Sequence, residues 1–156
     1  MNVELFLVEK EEKEVLKRLI EEYERELLNI EEPEEYKYLD SYWEKENRFP
    51  YFIKVDEKIA GFALINDYNL VNKDGKNIAE FYVKKEFRKN GIGKMAAMEI
   101  FDLFKGNWEI RELKENIDGQ NFWKKVINEY IKGNFEEIFL DNEKWQGAVQ
   151  IFKNDL

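Results

Sequence analysis

Residues 78–94 read IAEFYVKKEFRKNGIGK, an apolar run, then a basic turn, then two glycines that open a helical period. The run at 78–83 is rich in β-branched and aromatic residues, whereas from Gly91 onward apolar side chains recur at Ile92, Ala96, Ile100, Leu103 and Phe104. This spacing predicts strand, loop and helix in direct succession. Gly91 and Gly93 lack Cβ atoms, so the backbone there can bend sharply and bring N–H groups close to a ligand at a helix N-terminus, where the dipole favours anions. Between Lys84 and Lys94 five basic residues (Lys84, Lys85, Arg88, Lys89, Lys94) stand against one acid, Glu86, a local +4 inside a chain of net charge −9. The segment is built to hold phosphate.

A Gly-x-Gly pair alone also fits an ordinary loop turning into a helix, so the context decides. A nucleotide P-loop is disfavoured because no second glycine lies five residues upstream of Gly91 and residue 95 is Met rather than Ser or Thr. Nor does the chain begin with the repeated βαβ pattern of a dinucleotide fold. The string Val83-x4-Arg88-x-x-Gly91-Ile92-Gly93-Lys94 resembles the acetyl-coenzyme A signature, Gln/Arg-x-x-Gly-x-Gly/Ala, of the GCN5-related N-acetyltransferase (GNAT) superfamily. A second patch, Asn116-Ile-Asp-Gly-Gln-Asn-Phe122-Trp123, resembles the Asn-x-x-Ala-x-x-apolar-Tyr/Trp element that opens the helix after the fifth strand of that family, with Gly119 where Ala is usual.

The rest of the chain predicts a strand over 3–8, a helix over 9–29, and a shorter helical stretch around 35–44 after the interruption at Pro33. Strands over 50–55 and 59–68 are joined at Asp56-Glu57-Lys58 as a hairpin, and 72–76 turns into the strand that holds Glu80. A helix over 91–105, a strand over 108–113, a helix over 120–130 and strands over 135–140 and 145–152 complete the order. The β-α-α-β-β-β-α-β-α-β-β succession resembles the GNAT fold over nearly the whole chain. The implied fold is α/β (α+β): a mixed, mostly antiparallel sheet of six to seven strands with a splayed parallel pair, 78–83 and 108–113, flanked by about four helices.

At 156 residues and 44% hydrophobic content, with no linker-like segment or repeat, one domain over 1–156 is expected. The N-terminal apolar run is about five residues long and bounded by acids, too short for a signal peptide or membrane helix, so a cytoplasmic protein is expected. Net negative charge, with basic residues gathered only in 84–94, argues against nucleic acid or a membrane surface as partner. Residues 9–35 carry twelve Glu against five Lys or Arg, with Val15, Leu16, Leu19, Ile20, Tyr23, Leu27 and Leu28 at helical spacing. This is an amphipathic helix whose acidic face is either simply solvated or disposed to attract a cationic amine. With no cysteine and no histidine, disulfides, thiolate or imidazole metal sites and a covalent Cys intermediate are excluded; a general base must be Asp, Glu, Tyr, Lys, a terminus or water. No metal is expected.

The resemblance implies transfer of an acetyl group from acetyl-CoA, as cosubstrate, to a primary amine of a small molecule or peptide. The backbone amides of Lys89, Gly91, Gly93 and Lys94 are then expected to hold the pyrophosphate with Arg88 nearby. Phe81 and Val83 pair through their backbone with pantetheine, and Tyr82, Asn90 and Ile92 complete the contacting stretch. The Val83 N–H is the candidate donor to the thioester carbonyl, and Asn116 inherits the family's contact to the pantetheine amides, its alternative being a helix cap. Glu80 is the candidate base: it interrupts an apolar strand on the same face as Tyr82, where partial burial raises a carboxyl pKa towards neutrality. The alternatives are a Glu paired with a Lys or facing solvent. Where the family often uses a tyrosine as general acid the sequence has Trp123, whose indole cannot supply a proton, so Tyr82 and Tyr130 remain as donors, or none is needed. Tyr36, Tyr38, Tyr42, Trp43, Phe49 and Trp145 fall in the segments that select the acceptor in the family, although core packing suits them equally. A non-catalytic acyl-CoA-binding sensor of the same fold, and an unrelated phosphate-binding α/β domain, are the competing readings. A homodimer is expected only by family habit.

Overall fold

The computed structural model of the protein describes residues 2–33 and 36–155. Seven strands form one mixed sheet in the order β1-β2-β3-β4-β5-β7-β6: β1 Val3–Leu7, β2 Phe49–Val55, β3 Lys58–Asn66, β4 Lys76–Val83, β5 Asn107–Leu113, β6 Glu136–Asp141 and β7 Gln146–Lys153. The helices are α1 Lys13–Leu27, α2 Ser41–Glu44, α3 Ile92–Leu103 and α4 Ile117–Ile131. The order agrees with the sequence expectation. β1 runs antiparallel to β2 with Val3 opposite Val55, β5 antiparallel to β7, and β6 antiparallel to β7. β4 and β5 are parallel, paired at Lys76–Trp108 and Asn77–Glu109 near their N-terminal ends. No helix among the described residues is long and apolar enough to cross a membrane.

The chain divides into two compact units, Met1–Leu64 with Glu80–Gly93, and Ile65–Ala79 with Lys94–Leu156. In the first, α1 follows a 3-10 turn at Lys10–Glu12, where the Glu12 side chain accepts the Glu9 amide at 3.1 Å and the Glu12 amide bonds the Glu9 carbonyl at 2.9 Å, so that otherwise orphaned N–H groups are satisfied. The helix buries Leu16, Leu19 and Ile20, each burial contributing about 1.5–3 kcal/mol. These pack with Val8, Leu39, Tyr42, Phe52, Phe62, Leu64 and Tyr82. Val15, Leu27 and Leu28, expected on the same apolar stripe, are exposed; Val15 lies one helical step round from Leu16, and the two leucines sit at the helix end, where Asn29 turns left-handed (φ 57°). The hairpin between β2 and β3 turns through Asp56 (φ 48°) and Glu57 (φ 73°), two consecutive left-handed residues whose twist matches the strands they join.

The helix expected around 35–44 is cut down to Ser41–Glu44, and residues 34 and 35 lie outside the described chain. Residues 36–43 instead bond three apart, with the amides of Leu39, Ser41, Tyr42 and Trp43 each 3.1 Å from the carbonyls of Tyr36, Tyr38, Leu39 and Asp40. The Ser41 hydroxyl also donates to the Tyr38 carbonyl at 2.5 Å. Such tight turns and side-chain bonds compete with a regular α-helix.

The second unit is organised round an aromatic cluster in which Phe101 of α3 meets Trp108 (5.0 Å between ring centroids), Phe152 (4.9 Å), Tyr130 (5.1 Å) and Trp123 (6.3 Å). On the other face of β5, the fully buried Glu109 accepts the amides of Leu70 and Val71 at 2.8 Å and Asn72 at 3.3 Å, and pairs with Arg111. One carboxylate thus fastens the loop between β3 and β4. Glu112, on the Trp108 face, is buried too and receives the Gln150 Nε2 donor at 2.7 Å. Its Oε2 and the Gln150 Oε1 are both buried without a partner. Burial, with Glu137 adding to it, pushes the Glu112 carboxyl up to about 8, so a proton sits there at neutral pH and turns an orphan acceptor into a donor.

A carboxyl raised on folding binds its proton more tightly in the native state, so its contribution is full below the unfolded value of 4.5 and is lost as pH rises through about 8. Glu112→Gln removes that loss. Urea unfolding at pH 9 should find the variant more stable than the parent by on the order of 5 kcal/mol, with the difference gone near pH 4.

Candidate active site

Within the first unit, β4 brings Glu80 and Tyr82 to one face beside Tyr23 of α1: the Tyr23 and Tyr82 ring centroids are 5.6 Å apart, and the Tyr23 hydroxyl is near enough to the Glu80 carboxyl to favour its charged form. Tyr36 acts on the Glu80 carboxyl in the same sense. Burial pushes the Glu80 carboxyl up from 4.5 to about 7; the neighbouring Glu24 adds to the rise, and the two tyrosine hydroxyls oppose it. Glu80 itself is only half-buried, so its carboxylate has dense surroundings while part of the side chain still reaches solvent. Both tyrosines have their pKa values raised, first by burial and then by the Glu80 charge, and so stay protonated as donors. Glu24 is also raised by burial and by Glu21, and its Oε1 is buried without a partner.

The strand is held in place from its neighbour. A Cβ on Gly61 of β3 would lie 1.9 Å from the Tyr82 carbonyl oxygen, well inside any contact distance, so only glycine lets the two backbones approach this closely. At the end of β4 the Lys84 amide bonds Ala60 O at 2.7 Å, and a 3-10 turn follows at Lys85–Phe87. Arg88 fastens this corner: its Nε donates to the Val83 carbonyl at 2.8 Å, its Nη2 pairs with Glu26, and its guanidinium lies 5.6 Å from the Tyr82 ring. The Tyr82 hydroxyl donates to Glu22 at 3.0 Å.

Beyond Arg88 the chain bends through Lys89 (φ 70°) and Gly91 (φ 74°) into α3. A Cβ at Gly91 would meet nothing within 4 Å, so glycine is needed there for its conformation and the space above it is open. Ile92 is buried and anchors the helix start, while Lys89, Asn90 and Gly91 are exposed. The N–H groups of the first turn of α3, including those of Ile92, Gly93 and Lys94, have no acceptor within the helix. Lys84, Lys85 and Lys89 make no ion pair among the described residues. This is a backbone able to bind an anion, and the three lysines precede it within eight residues of chain.

In the second unit, the Lys94 ammonium pairs with Glu129 at 3.2 Å. Asn116 is the N-cap of α4, its Oδ1 accepting the Gly119 amide at 3.0 Å. Trp123 is buried against Phe101 and Phe122, a core residue and no acid. Tyr130, the other donor considered, gives its hydroxyl to Asp102 at 2.7 Å. Of the aromatic residues weighed for the acceptor, Tyr42 is buried, Tyr36 and Trp43 pack on the first unit's core, and Tyr38 is exposed. Trp145 bonds the Glu112 carbonyl at 3.2 Å.

Sequence reasoning singles out Glu80 but not its partners Tyr23, Tyr36 and Glu24. Tyr23 falls in the apolar stripe of α1 and Tyr36 follows an irregular segment; nothing in their spacing points at β4.

A seven-stranded mixed sheet with one parallel pair, and a basic glycine turn joining its fourth strand to a helix, are the build of a coenzyme A-dependent acyltransferase. The chain belongs to the acetyltransferase (GNAT) family, whose family model matches residues 16–128. No curated protein matches it in sequence. Among solved structures, an acetyltransferase from Thermus thermophilus is similar at TM-score 0.74 and 10% identity, covering 98% of this chain and 97% of that one. The aminoglycoside acetyltransferase AAC(6')-Ib in complex with coenzyme A is similar at 0.73 and 12%, covering 97% and 95%. The PaiA N-acetyltransferase from Thermoplasma acidophilum, also in complex with coenzyme A, is similar at 0.64 and 16%, covering 98% and 99%. At these identities the likeness is one of fold.

The close approach at Gly61 makes a sharp test of how β4 is held. Gly61→Ala should destabilise the protein by on the order of 2–4 kcal/mol, read as a lower urea midpoint. The exposed Gly91→Ala should cost only about 1 kcal/mol, through its left-handed backbone.

Proposed function

We propose that this protein is an acetyl-CoA-dependent N-acetyltransferase that acts on a primary amine of a small molecule or peptide by direct transfer. The observation that carries the reading is Glu80, a carboxylate poised at about 7 on the strand that runs into the glycine turn. An alkyl ammonium with a pKa near 10 is mostly protonated at neutral pH, so the acceptor needs a group that takes its proton, and a base is most effective when its pKa lies near the working pH. Glu80 takes that proton, directly or through one water.

The turn from Arg88 to Lys94 fits the diphosphate of coenzyme A: Gly91 is open and left-handed, and the first-turn amides of α3 have no helical acceptor. Acetyl-CoA, when bound, supplies the thioester whose carbon–sulfur bond breaks as the carbon–nitrogen bond forms. Lys89, Gly91, Gly93 and Lys94 hold phosphate oxygens through their amides, with Asn90 and Ile92 shaping the same turn. Arg88 braces it through Val83 and Glu26. Phe81, Tyr82 and Val83 contribute backbone groups only, and the Val83 N–H donates to the carbonyl oxygen as negative charge grows there. The family resemblance gives Asn116 the pantetheine amides; to make that contact its side chain leaves the Gly119 amide it now caps. With no cysteine in the chain, no thioester forms on a Cys side chain of the protein.

Calorimetry with acetyl-CoA, with ATP as control, tests the first half: micromolar binding is expected, abolished in Gly93→Glu. Thiol release on an amine panel tests the second, free of background from a cysteine-free protein. Glu80→Gln should keep binding and lose activity about a hundredfold or more near pH 7, and the parent rate should rise with pH through about 7 as Glu80 ionises. Selective binding with no turnover of any amine would favour an acyl-CoA sensor; no binding at high micromolar acetyl-CoA would sink both.

A further inference from the structure

The last peptide of β4 is pinned at both of its polar ends. Its N–H, on Lys84, donates to the Ala60 carbonyl of β3 at 2.7 Å, and its carbonyl, on Val83, accepts the Arg88 Nε–H at 2.8 Å. The Arg88 side chain thereby closes residues 83–88 into a ring across the 3-10 turn. Inside that ring the Phe87 amide bonds the Lys84 carbonyl at 2.9 Å and the Arg88 amide bonds the Lys85 carbonyl at 3.2 Å. One bond from Nε does not fix a guanidinium, whose donors share a plane but whose stem is flexible. Two further contacts do: Nη2 pairs with Glu26 of α1, and the planar group lies 5.6 Å from the centroid of the Tyr82 ring. The Arg88 and Glu26 side chains are each about a third exposed (34% and 31%), so solvent screens the pair only in part.

We propose that Glu26 is a positioning residue for the cofactor turn: through Arg88 it holds the corner at 83–88 in the shape from which Lys89 (φ 70°) and Gly91 (φ 74°) lead into α3. The inference rests on the reading of that turn as the site for the diphosphate of acetyl-CoA. Glu26 can act as a mount because α1 is itself fixed. Leu16, Leu19 and Ile20 are buried, and Tyr23 sits edge-on to Phe62 of β3 with ring centroids 5.8 Å apart. One helical turn before Glu26, Glu22 accepts the Tyr82 hydroxyl at 3.0 Å, and side chains four apart on a helix lie on the same face. Glu22 thus engages the strand and Glu26 the turn that follows it. Arg25, between them, is occupied with Glu21 at 3.7 Å.

The role has a sign. By charge alone, deleting a carboxylate near a phosphate-binding turn tightens an anion, and a guanidinium released from Glu26 is one more donor for a phosphate oxygen. Deleting a brace does the reverse, because the turn then has to be ordered at the expense of binding. Field and brace push the affinity in opposite directions, so one measurement separates them.

The experiment compares the parent with Glu26→Ala, Arg88→Gln and the double variant, reading acetyl-CoA affinity by calorimetry and amide exchange of the ligand-free protein by NMR. Alanine keeps the helix, and a thermal melt verifies the fold of each. Glu26→Ala should weaken acetyl-CoA about tenfold, the worth of one charge-assisted hydrogen bond that is partly screened. That loss should vanish in the Arg88→Gln background, since Glu26 acts through Arg88. Without ligand, the Phe87 and Arg88 amides should exchange about tenfold faster in Glu26→Ala. Unchanged or tighter binding by Glu26→Ala, with a parent that binds, overturns the inference and leaves the cofactor site intact. Equal weakening in both backgrounds, or unchanged exchange at Phe87 and Arg88, overturns it as well. A parent that does not bind acetyl-CoA overturns the cofactor reading of the turn, and the positioning role with it.

Discussion

Strand β4 carries a carboxylate into aromatic surroundings, and the first unit is arranged round that constraint. A shift from 4.5 to about 7 corresponds to about 3 kcal/mol against the charged form. Left to burial and to Glu24, Glu80 would simply be a neutral acid, inert as a base. Left in water it would be a weak base with its proton already gone. Tyr23 and Tyr36 oppose that rise, and both reach Glu80 because α1 and the turn before α2 stand beside β4. Gly61 allows the backbone contact that fixes β4 from the other side. Leu16, Leu19 and Ile20, buried a turn or two before Tyr23, fix α1. The apolar core is thereby also the mount of the polar site.

Charge follows the same economy. Some carboxylates of α1 take part in contacts with the rest of the first unit. Glu22 takes the Tyr82 hydroxyl, and Glu26 takes Arg88. The sequence places Arg88 in the glycine turn proposed to hold phosphate, yet its side chain is turned back onto Val83 and Glu26. A cation so engaged shapes the turn, while Lys84, Lys85 and Lys89, which make no ion pair among the described residues, precede α3 in the chain. An exposed lysine is screened and mobile. A backbone amide at a helix start is neither, so it is the better carrier of specificity for phosphate.

Much of the fold was legible because long periodic segments declare themselves: the order of strands and helices, the hairpin at Asp56-Glu57 and the glycine turn all follow from spacing and turn chemistry. The failures have physical causes. The helix expected around 35–44 shrank because Ser41 and the carbonyls of Tyr36, Tyr38, Leu39 and Asp40 prefer bonds three residues apart. The candidate site was legible only along the strand. Glu80 stands out in an apolar run, but Tyr23 and Tyr36 look like ordinary core aromatics, since a hydroxyl's target depends on tertiary packing that no periodicity encodes. Glu109 and Glu112 were invisible for the same reason: in a strand a carboxylate can clamp a loop or carry a buried proton, and the two lie three residues apart on opposite faces.

Asn116 shows how one small departure from a family pattern changes what a neighbouring side chain does. Where the resembling element has Ala, this chain has Gly119, and a Cβ there would lie 2.4 Å from the Asn116 Nδ2 and 2.9 Å from its Oδ1. With glycine the asparagine folds back and caps α4; with alanine that orientation is closed and the amide has to point elsewhere. An N-cap is worth about 1 kcal/mol. Any ligand amide that draws Asn116 away from Gly119 has to replace that bond, so the helix start of α4 and the affinity for such a ligand are coupled through a single missing methyl group.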